Sequence, residues 1–554
     1  MASALGTEPD GRTIDGPSET AQTLGVAGWT LVSRITGLLR LVVAGATLGP
    51  TFFANIFQAT NTVPNLTYTL MAGSLLATVV VPTLVEALDR GDLERARRVA
   101  QGLLGVVIVG LLGVGVLVVG LGPVVVRLVT LGIGADDAGQ ARGQAWVLLL
   151  LVVPQIVLYG VAAVGVAAQN ARRRFALAAA APSVENLGLV VTLVLAAHWF
   201  GSGLATGAVT TSYLVVLGVG STLSVAAHAA LQLVGAARAG LSLRPIWGWP
   251  DPAVRSVLRR IIPTIGTAAL EAGWLLALVV AAGTVPGGVI AFQIGFKLYN
   301  LPLALGARAV GTVLMPRLAR EIVRGDVAGF GRTYARGLAR SWFVAVPASV
   351  GLICLAPPIA EVLAFGKFDQ GSGLELVTAS VATLGLALVG AATYEIARQA
   401  SYARLDVRAP LVGGVGQFAV VLTAIPGAVI LLDGAATLAV LGLAVTTGSV
   451  LRAVIVDRYA SRGIPLRLKQ RTRALVRHIA VSIVTVVPAA VLAAALSSLV
   501  HGRAEAMIAV ALGSLGGLAA YVALQAVMHA PELEWTIRRA RPGPVAVAGE
   551  GGST

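Results

Sequence analysis

Apolar stretches of about 20 residues recur along almost the whole chain, and they limit its possible folds more than any other feature. A helix of that length crosses the hydrocarbon core of a bilayer, whereas a membrane β-barrel has short segments of alternating polarity. Only 12% of the 554 residues are charged, which is about half the share found in soluble domains. The sequence therefore predicts an all-α polytopic membrane protein.

We predict fourteen transmembrane helices, arranged as two lobes of six helices followed by two C-terminal helices. The predicted spans are 24–48, 55–87, 99–121, 144–168, 176–199, 204–232, 257–283, 288–322, 335–357, 374–397, 409–431, 435–456, 474–499 and 505–528. The predicted divisions are a disordered cytoplasmic tail (1–22), an N-lobe (23–234), a cytoplasmic linker (235–256), a C-lobe (257–460), the last two helices (461–530) and a second cytoplasmic tail (531–554).

Basic residues are distributed unevenly between the two sides of the predicted membrane domain. With the N-terminus in the cytoplasm, 33 of the 41 Lys and Arg residues fall in cytoplasmic segments and only four in segments outside. Because basic residues collect on the cytoplasmic side, this distribution predicts cytoplasmic N- and C-termini. It also accounts for the net charge of +15 without a nucleic-acid partner. The basic loops are predicted to meet anionic lipid headgroups.

An internal repeat relates the two predicted lobes. Thr-Val-Leu-Met-Pro at 312–316 and Arg-Gly-Asp at 324–326 match Thr-Val-Val-Val-Pro at 78–82 and Arg-Gly-Asp at 90–92, at an offset of 234. Each lobe has an even number of spans, so both run in the same direction, as in transporters that rock two lobes around a central site. Weaker matches pair 122–132 with 356–366 at the same offset, and 167–174 with 397–404 at an offset of 230.

Four cations lie within predicted spans, namely Arg34, Arg40, Lys297 and Arg308. A charge at the bilayer centre costs from about 3 to more than 10 kcal/mol, so it normally faces a partner or water. Lys297 and Arg308 are eleven residues apart and share one helical face. We favour a water-filled, anion-binding cavity. The alternatives are snorkelling to the interface and internal ion pairs. The acids available for such pairs are Glu185, Glu271 and Glu395.

The second predicted helix carries a polar stripe within an arc of about 140°. Its members are Asn55, Gln58, Asn61, Asn65 and Tyr68. Amides and a phenol suit saccharide hydroxyls, although such groups also form hydrogen bonds between helices. Pro64 and Pro302 each remove a backbone hydrogen bond from a span, and we predict hinges at both.

Several kinds of chemistry have no sequence signal. There is no Walker A motif, and the five histidines have no metal-binding spacing, so we predict neither a cofactor nor a metal. The histidines are predicted to lie at the membrane interface or in packing positions. Energy is predicted to come from a Na⁺ or H⁺ gradient or from the membrane potential. Glu271 and Glu395 are the ion-coupling candidates, with a structural ion pair open as the alternative for each.

Several motifs resemble those of the MurJ/MviN lipid II flippases. They are Ser-Arg-Ile-Thr-Gly-Leu-Leu-Arg (33–40), Val-Pro-Asn (63–65), Gly-Thr-Val-Leu-Met-Pro (311–316), Phe-Gly-Lys-Phe (365–368) and Tyr-Ala-Arg-Leu-Asp-Val-Arg-Ala-Pro (402–410). The resemblance implies two lobes around a cationic cavity and alternating access in a bacterial cytoplasmic membrane. The implied cargo is an undecaprenyl-pyrophosphate-linked peptidoglycan precursor, whose lipid tail would lie along the last two helices.

The resemblance also assigns substrate contacts, and this chain departs from the family at several of them. Arg34 and Arg40 match the family's serine-arginine motif, and Lys297 stands where the family has a cavity arginine. Tyr68 replaces a second cavity arginine, while Asn55 and Asn300 replace acids. Arg308 stands where the family is commonly apolar. The predicted substrate-binding residues are Arg34, Arg40, Asn55, Asn61, Asn65, Tyr68, Lys297, Asn300 and Arg308.

Four hypotheses follow, of which a lipid II flippase is the first. The second is an exporter of another polyprenyl-linked glycan, and the third is a cation or drug antiporter. A cationic cavity disfavours the third, because a cation site needs acids. The fourth is a non-transporting scaffold that recruits cell-wall synthesis proteins through its basic loops. A scaffold would need no charges in the middle of the membrane.

Overall fold

The computed structural model describes residues 19–70, 80–464, 468–499 and 503–533. Within these ranges it leaves out the side chains of residues 19–24, 27, 67–70, 260–265, 267, 468–469 and 496–499. The described residues form nineteen α-helices and no strand. The predicted terminal tails therefore lie almost wholly outside the described residues.

The helices in chain order are α1 (Glu19–Leu48), α2 (Phe52–Leu70), α3 (Val81–Asp89), α4 (Leu93–Gly120), α5 (Gly122–Val129), α6 (Ala135–Val152), α7 (Pro154–Ala171), α8 (Phe175–Phe200), α9 (Thr211–Arg238), α10 (Pro252–Ala282), α11 (Gly288–Leu303), α12 (Ala309–Val323), α13 (Val327–Cys354), α14 (Ala356–Leu363), α15 (Gly373–Ala403), α16 (Arg408–Leu431), α17 (Gly434–Ala460), α18 (Leu468–Leu499) and α19 (Arg503–Val527).

Twelve helical segments of the described residues are long and apolar enough to cross a membrane, which confirms an all-helical, multi-pass membrane protein. They coincide with twelve of the predicted spans. Of the remaining two predictions, 257–283 falls on α10, and the two ends of 55–87 fall on α2 and α3 while its part 71–79 lies outside the described residues. The apolar part of α10, Ala268–Ala282, is a shorter segment. The count of fourteen is therefore approximate.

The Arg-Gly-Asp repeats adopt the same backbone conformation. Gly91 and Gly325 have φ angles of 74° and 70°, in the left-handed region that glycine enters without a steric penalty. The next residue, Asp92 or Asp326, caps the following helix by accepting a hydrogen bond from a backbone N–H three residues on. The repeated Arg-Gly-Asp sequence therefore encodes the same helix–turn–helix corner in both halves of the chain.

Two further features recur between the halves of the chain. The eight-residue helices α5 and α14 begin 234 residues apart, at Gly122 and Ala356, as the sequence match predicts. The ends of α7 and α15 are followed by Arg173 and Leu405, which both have positive φ angles, 54° and 59°. These positions differ by 232 residues, so the predicted offset of 230 for this match is wrong by two.

We call α1–α9 the N-lobe and α10–α17 the C-lobe. In the N-lobe α8 packs against α1 and α9, and in the C-lobe α17 packs against α15 and α16. The pair α18 and α19 packs on the C-lobe helices α13 and α14. The largest hydrophobic core includes buried residues of both lobes, such as Phe57 and Phe292. This core therefore joins the two lobes.

The eighth predicted span is interrupted. It consists of α11, a π-helical segment at Ala304–Arg308 and α12. Pro302 lies two residues before the π-helical segment and cannot donate a backbone hydrogen bond. Helix α2, by contrast, continues through Pro64 to Leu70. A hinge at either proline stays a prediction.

The arginine-rich loops of each lobe contact one another, since Arg97 and Arg172 bond the backbone at Gly240 and Ala239, and Arg404 bonds the backbone at Ala460 and Arg462. We call the end of the bundle that carries these loops the basic end. We call the opposite end, where α1 is connected to α2, the α1–α2 end.

Many of the arginines that the charge count places in loops lie within helices instead. Arg398 is in α15 and Arg452 is in α17, eight residues before its last residue. Arg452 is 7% exposed, so its placement in a loop is wrong.

Candidate substrate cavity

Three of the predicted cations meet between α1 and α11. Arg34 and Arg40 lie two turns apart on α1, and Lys297 faces them from α11. The Nζ atom of Lys297 is 3.7 Å from the position that a β-carbon on Gly37 would occupy. Glycine at this position leaves room for the lysine between the lobes. Arg34 and Arg40 are the positive charges that act on Lys297 through space.

The fourth cation, Arg308, is the last residue of the π-helical segment. Its Nη2 atom donates a hydrogen bond to Oδ1 of Asn300 at 3.2 Å. Arg308 also acts through space on Arg34 of the other lobe. The structure therefore brings together all four cations that the sequence places within spans, two from each lobe.

Glu185 of α8 is an acid within reach of these cations. Its Oε1 atom lies 3.8 Å from Nη1 of Arg40 and accepts a hydrogen bond from the Tyr159 hydroxyl at 2.8 Å. Its Oε2 atom lies 2.8 Å from Nδ1 of His228. We call Arg40, Tyr159, Glu185 and His228 the N-lobe cluster. Arg40 is thus paired with an acid, as the ion-pair alternative proposed.

A second buried cluster lies in the C-lobe. Arg452 forms an ion pair with Glu271, and it donates hydrogen bonds to the Tyr394 hydroxyl and, at 3.0 Å, to Oε1 of Gln417. Trp274 donates its indole N–H to the other oxygen of Glu271 at 3.0 Å. We call Glu271, Tyr394, Gln417 and Arg452 the C-lobe cluster.

Both ion-coupling candidates occur in ion pairs. Glu271 pairs with Arg452 in the C-lobe cluster, and Glu395 accepts from Arg398 at 2.5 Å. An arginine therefore occupies the position beside each carboxylate that a coupling cation would need. This geometry corresponds to the structural ion pair that the sequence left open for each.

Arg34 and Lys297, which are half-buried, and Arg308, which is exposed, differ from the cations that form ion pairs. None of the three has a carboxylate within 4.0 Å among the described residues, whereas Arg40, Arg398 and Arg452 each have one. Uncompensated positive charge in a low-dielectric setting attracts an anion strongly. The site is therefore suited to a multivalent anion that contacts both lobes.

Asn55 lies away from this cavity and is 1% exposed. Its Nδ2 atom donates to the carbonyl oxygens of Gly283 and Val285 at 3.1 and 2.7 Å, and its Oδ1 atom accepts from the N–H of Val289 at 3.1 Å. These bonds use the whole amide to hold the two lobes together. In this conformation Asn55 is therefore an inter-lobe contact, and its predicted position in the substrate site is wrong.

A glycine also allows the two lobes to approach closely at the α1–α2 end. Gly287 has a φ angle of 74°, and a β-carbon there would lie 2.6 Å from Cα of Pro50 in the other lobe. Its N–H donates to the carbonyl of Thr51 at 3.2 Å. Because only a glycine fits without displacing Pro50, the α1–α2 end closes tightly.

The remaining residues of the polar stripe have separate environments. Asn61 donates to Phe57 O of its own helix at 2.9 Å, and Asn65 donates to the Tyr159 hydroxyl at 3.4 Å. Gln58 is buried, with its Nε2 atom unpartnered among the described residues. The side chain of Tyr68 lies outside the described residues. Among the saccharide contacts predicted on α2, Asn65 is therefore the one that joins the N-lobe cluster.

Sequence reasoning missed five residues of the two clusters. His228 was predicted at an interface or in packing, yet it is 1% exposed and lies in the middle of α9. Arg452 was counted in a loop, and Tyr159, Tyr394 and Gln417 were not considered. The two tyrosines are 235 residues apart, close to the repeat offset, and this correspondence could have located both clusters.

The comparison with known protein families now decides the assignment. A family model described as "Lipid II flippase MurJ" matches residues 44–512. The chain belongs to this family. The match begins near the end of α1 and covers the rest of both lobes, all of α18 and part of α19. The family of MurJ flippases moves a lipid-linked saccharide, so the chain is a transporter.

Relatives of the MurJ family match the chain over most of its length. A probable lipid II flippase MurJ from Vibrio cholerae is 29% identical over 400 residues, which cover 70% of this chain and 74% of the relative. The lipid II flippase MurJ of Burkholderia cenocepacia is 26% identical over 399 residues, covering 71% and 75%. The chain is thus similar to MurJ proteins of several bacteria.

Solved structures support the same fold. A lipid II flippase MurJ in an inward closed conformation superimposes with a TM-score of 0.69 at 15% identity, covering 91% of this chain and 99% of that one. An inward-facing MATE family multidrug transporter gives a TM-score of 0.53 at 14% identity, covering 82% and 96%. The chain therefore has the same overall fold as both of these structures.

Proposed function

We propose that this chain translocates lipid II, an undecaprenyl-pyrophosphate-linked peptidoglycan precursor, across the bacterial cytoplasmic membrane by alternating access. One observation carries the proposal. Four cations from two lobes meet in one place, and three of them have no carboxylate within ion-pair distance among the described residues. A pyrophosphate supplies the compensating negative charge.

The cations would contact the pyrophosphate in different ways. Arg34 and Arg308 offer planar guanidinium groups that bind phosphate oxygens bidentately, while Lys297 acts as a compact charge. Asn300, already bonded to Arg308, would hold that guanidinium in place. Asn61 and Asn65 of α2 would contact the saccharide, and the lipid tail would lie along α18 and α19.

Alternating access would exchange one set of inter-lobe contacts for another. In the structure the α1–α2 end is held by Asn55 and Gly287. Opening this end requires breaking those hydrogen bonds, each with a net value of about 0.5–1.5 kcal/mol. Such contacts hold the closed state yet can be broken within a transport cycle. Pro302 and the π-helical segment after it would absorb the bend of the eighth span.

The orientation follows from charge. The basic end would face the cytoplasm, with both termini on that side and the arginines near anionic headgroups. Partners among cell-wall synthesis proteins would meet the chain on the same side. A membrane potential, negative inside, drives a pyrophosphate outward and contributes about 2.3 kcal/mol per charge per 100 mV. Glu271 and Glu395 could couple an ion only after releasing their arginines.

Complementation tests the proposal. In a strain depleted of its lipid II flippase, the wild-type chain should restore growth, and Lys297→Met should abolish rescue at equal expression. Lys297→Arg keeps the charge and should retain rescue. The matched control is Arg95→Met, which removes an exposed cation of the basic end and should rescue like wild type.

Two outcomes point elsewhere. Full rescue by Lys297→Met would contradict the proposal that the cavity cations bind the pyrophosphate. Failure of a well-expressed wild-type chain would favour transport of another polyprenyl-linked glycan, or the non-transporting scaffold. Binding of a diphosphate-linked lipid to the purified chain separates these two, because a scaffold has no need of that ligand.

A further inference from the structure

Glu185 lies at the centre of a buried network that reaches the cavity. His228 and Tyr159 hold its two oxygens at 2.8 Å from within the lobe, and both residues are at most 3% exposed. Arg40 approaches from the cavity side at 3.8 Å. Arg40 is thus the link between the cavity and a histidine–carboxylate pair that substrate cannot touch.

The hydrogen-bonding groups around His228 indicate which of its ring nitrogens accepts. Nε2 of Gln232 lies 3.3 Å from Nε2 of His228 and also donates to the carbonyl of Ala178. Oε1 of Gln232 is already occupied by a donor from Gln169 at 2.6 Å. Gln232 therefore donates to His228, which must accept at Nε2 and carry its proton on Nδ1. Nδ1 then faces Oε2 of Glu185 at 2.8 Å, and the carboxylate of Glu185 and Nε2 of His228 are the two sites in the pair that can accept a further proton.

The C-lobe cluster lacks this capacity. On α17, which corresponds to α9 in the repeat, the cluster uses Arg452 where the N-lobe uses His228. A guanidinium keeps its proton throughout the physiological pH range. Glu271 is held by that permanent charge. Of the two clusters, only the one in the N-lobe contains an imidazole, the side chain whose ordinary pKa lies near neutral pH.

We propose that the Glu185–His228 pair takes up one proton when a pyrophosphate binds in the cavity. This inference rests on the proposed function. A bound pyrophosphate draws Arg40 away from Glu185, and the carboxylate loses its cation. One proton, released by an acid of the solvent buffer and relayed through cavity water, then forms an O–H or N–H bond within the pair, and the buffer is left as its conjugate base. By thermodynamic linkage, the proton strengthens pyrophosphate binding by the same factor.

The surrounding charges favour this order of events. Arg40 from α1, Tyr159 from α7, His228 from α9 and Lys297 from α11 act on Glu185. Helix α6, which also packs on α9, places no described charged residue within ion-pair distance of the pair. In the empty cavity the two cations oppose protonation of Glu185, and a bound pyrophosphate neutralises them. Ligand and proton therefore bind cooperatively.

Calorimetry on the full-length protein in lipid nanodiscs tests the proposal. The probe is a farnesyl-diphosphate-linked N-acetylglucosamine, a diphosphate diester that keeps its charge between about pH 5.5 and 8.5. Titration in buffers of different ionisation enthalpy counts the protons taken up on binding. We expect uptake of up to one proton per ligand. Because binding takes up a proton, affinity should fall by up to about tenfold for each unit by which the pH rises through the titration of the pair.

The variants locate the proton. Glu185→Gln and His228→Gln keep hydrogen-bonding side chains of similar size, and each should remove both the proton uptake and the pH dependence of affinity. The matched control is His478→Gln. His478 is another buried histidine, held by Tyr521 at 2.9 Å in the last two helices, and its substitution should leave the pH dependence unchanged.

The outcomes are separable from those of the proposed function. Binding without proton uptake at any pH in the wild type, or uptake that persists in both variants, would overturn the proton site while leaving the flippase intact. No binding of the probe to the wild type would instead contradict the anion cavity itself. If Glu185→Gln fails to fold, the wild-type proton count and His228→Gln still decide.

Discussion

The N-lobe and C-lobe clusters occupy equivalent places but carry different charges. Each takes one side chain from the first, fourth, fifth and sixth spans of its lobe, and a tyrosine comes from the fourth span in both. The first span supplies Arg40 in one lobe and Glu271 in the other. The repeat has therefore preserved the positions of a polar cluster and not the identity of its charges.

The two clusters also differ in which charge faces the cavity. In the N-lobe the cation Arg40 lies toward the cavity and its acid lies behind it, whereas in the C-lobe Arg452 is 7% exposed and Glu271 is the more exposed partner. The N-lobe can therefore offer its cation to an anion. In the C-lobe the exposed partner is the acid and the cation lies behind it, so this cluster does not offer its cation to an anion, which suits a structural role.

The largest expected effect is on the C-lobe cluster. Glu271→Ala leaves the Arg452 guanidinium buried without a carboxylate, and we expect the free energy of unfolding to fall by about 3–5 kcal/mol. Denaturant unfolding in detergent measures the change. The double variant with Arg452→Met removes the stranded charge and should recover much of the loss. A loss below about 1 kcal/mol for Glu271→Ala would contradict a structural role.

The corresponding change in the N-lobe should cost less. Glu185→Ala frees Arg40 to turn toward the cavity, so the loss comes from the hydrogen bonds of Tyr159 and His228, and we expect it to be about 1–3 kcal/mol. The same unfolding assay compares the two variants directly. The comparison between the lobes fails if Glu185→Ala destabilises the protein as much as Glu271→Ala.

Contacts between the lobes should be weaker than contacts within them, because transport must break them. Asn55→Ala removes three inter-lobe hydrogen bonds, and we expect the opening of the α1–α2 end to become easier by about 1–2 kcal/mol, or roughly tenfold. In a Cys354→Ser background, labelling of Val289→Cys with a soluble maleimide reports the opening.

Asn61→Ala is the matched control for this experiment. Asn61 lies on the same helix, and its amide donates to the carbonyl of Phe57 within that helix. Because this bond does not cross between the lobes, Asn61→Ala should leave the labelling rate unchanged. Equal rates for Asn55→Ala and the unsubstituted background would show that this asparagine does not hold the closed end.

The smallest effect concerns the scaffold that the lobes share. Gly91→Ala and Gly325→Ala place a β-carbon in open space but at positive φ, which costs about 1–2 kcal/mol. We expect equal losses of stability at both positions, measured by denaturant unfolding. Gly287→Ala adds an overlap with Pro50 and should cost more. Unequal losses at Gly91 and Gly325 would break the equivalence of the two corners.

The helices and the repeat could be predicted because their signals are local. A run of apolar residues specifies a span, and Arg-Gly-Asp specifies a corner, whatever surrounds them. The convergence of Lys297 with Arg34 and Arg40 was also predictable, because charges within spans must face something other than lipid. The buried position of Arg452 was not predicted, because a basic residue near the end of a predicted span is readily counted with the loop that follows it.

The partners within each cluster could not be predicted in the same way. Glu185 pairs with Arg40 and His228 because α8 packs against α1 and α9. No residue near Glu185 in the chain indicates either of these two partners. Asn55 shows the converse. Its position on the polar stripe indicated a cavity residue, but the approach of Val289 and its neighbours converts it into an inter-lobe contact.

The sequence by itself determined that this chain spans a membrane many times, that its two halves repeat and that cations lie within the spans. These properties depend on the cost of exposing polar groups to lipid and on short turn motifs, which act locally. Only the tertiary structure decided which cations are neutralised and which stay available. That outcome depends on ion-pair distances between helices far apart in the chain, because a carboxylate compensates only the charge it touches.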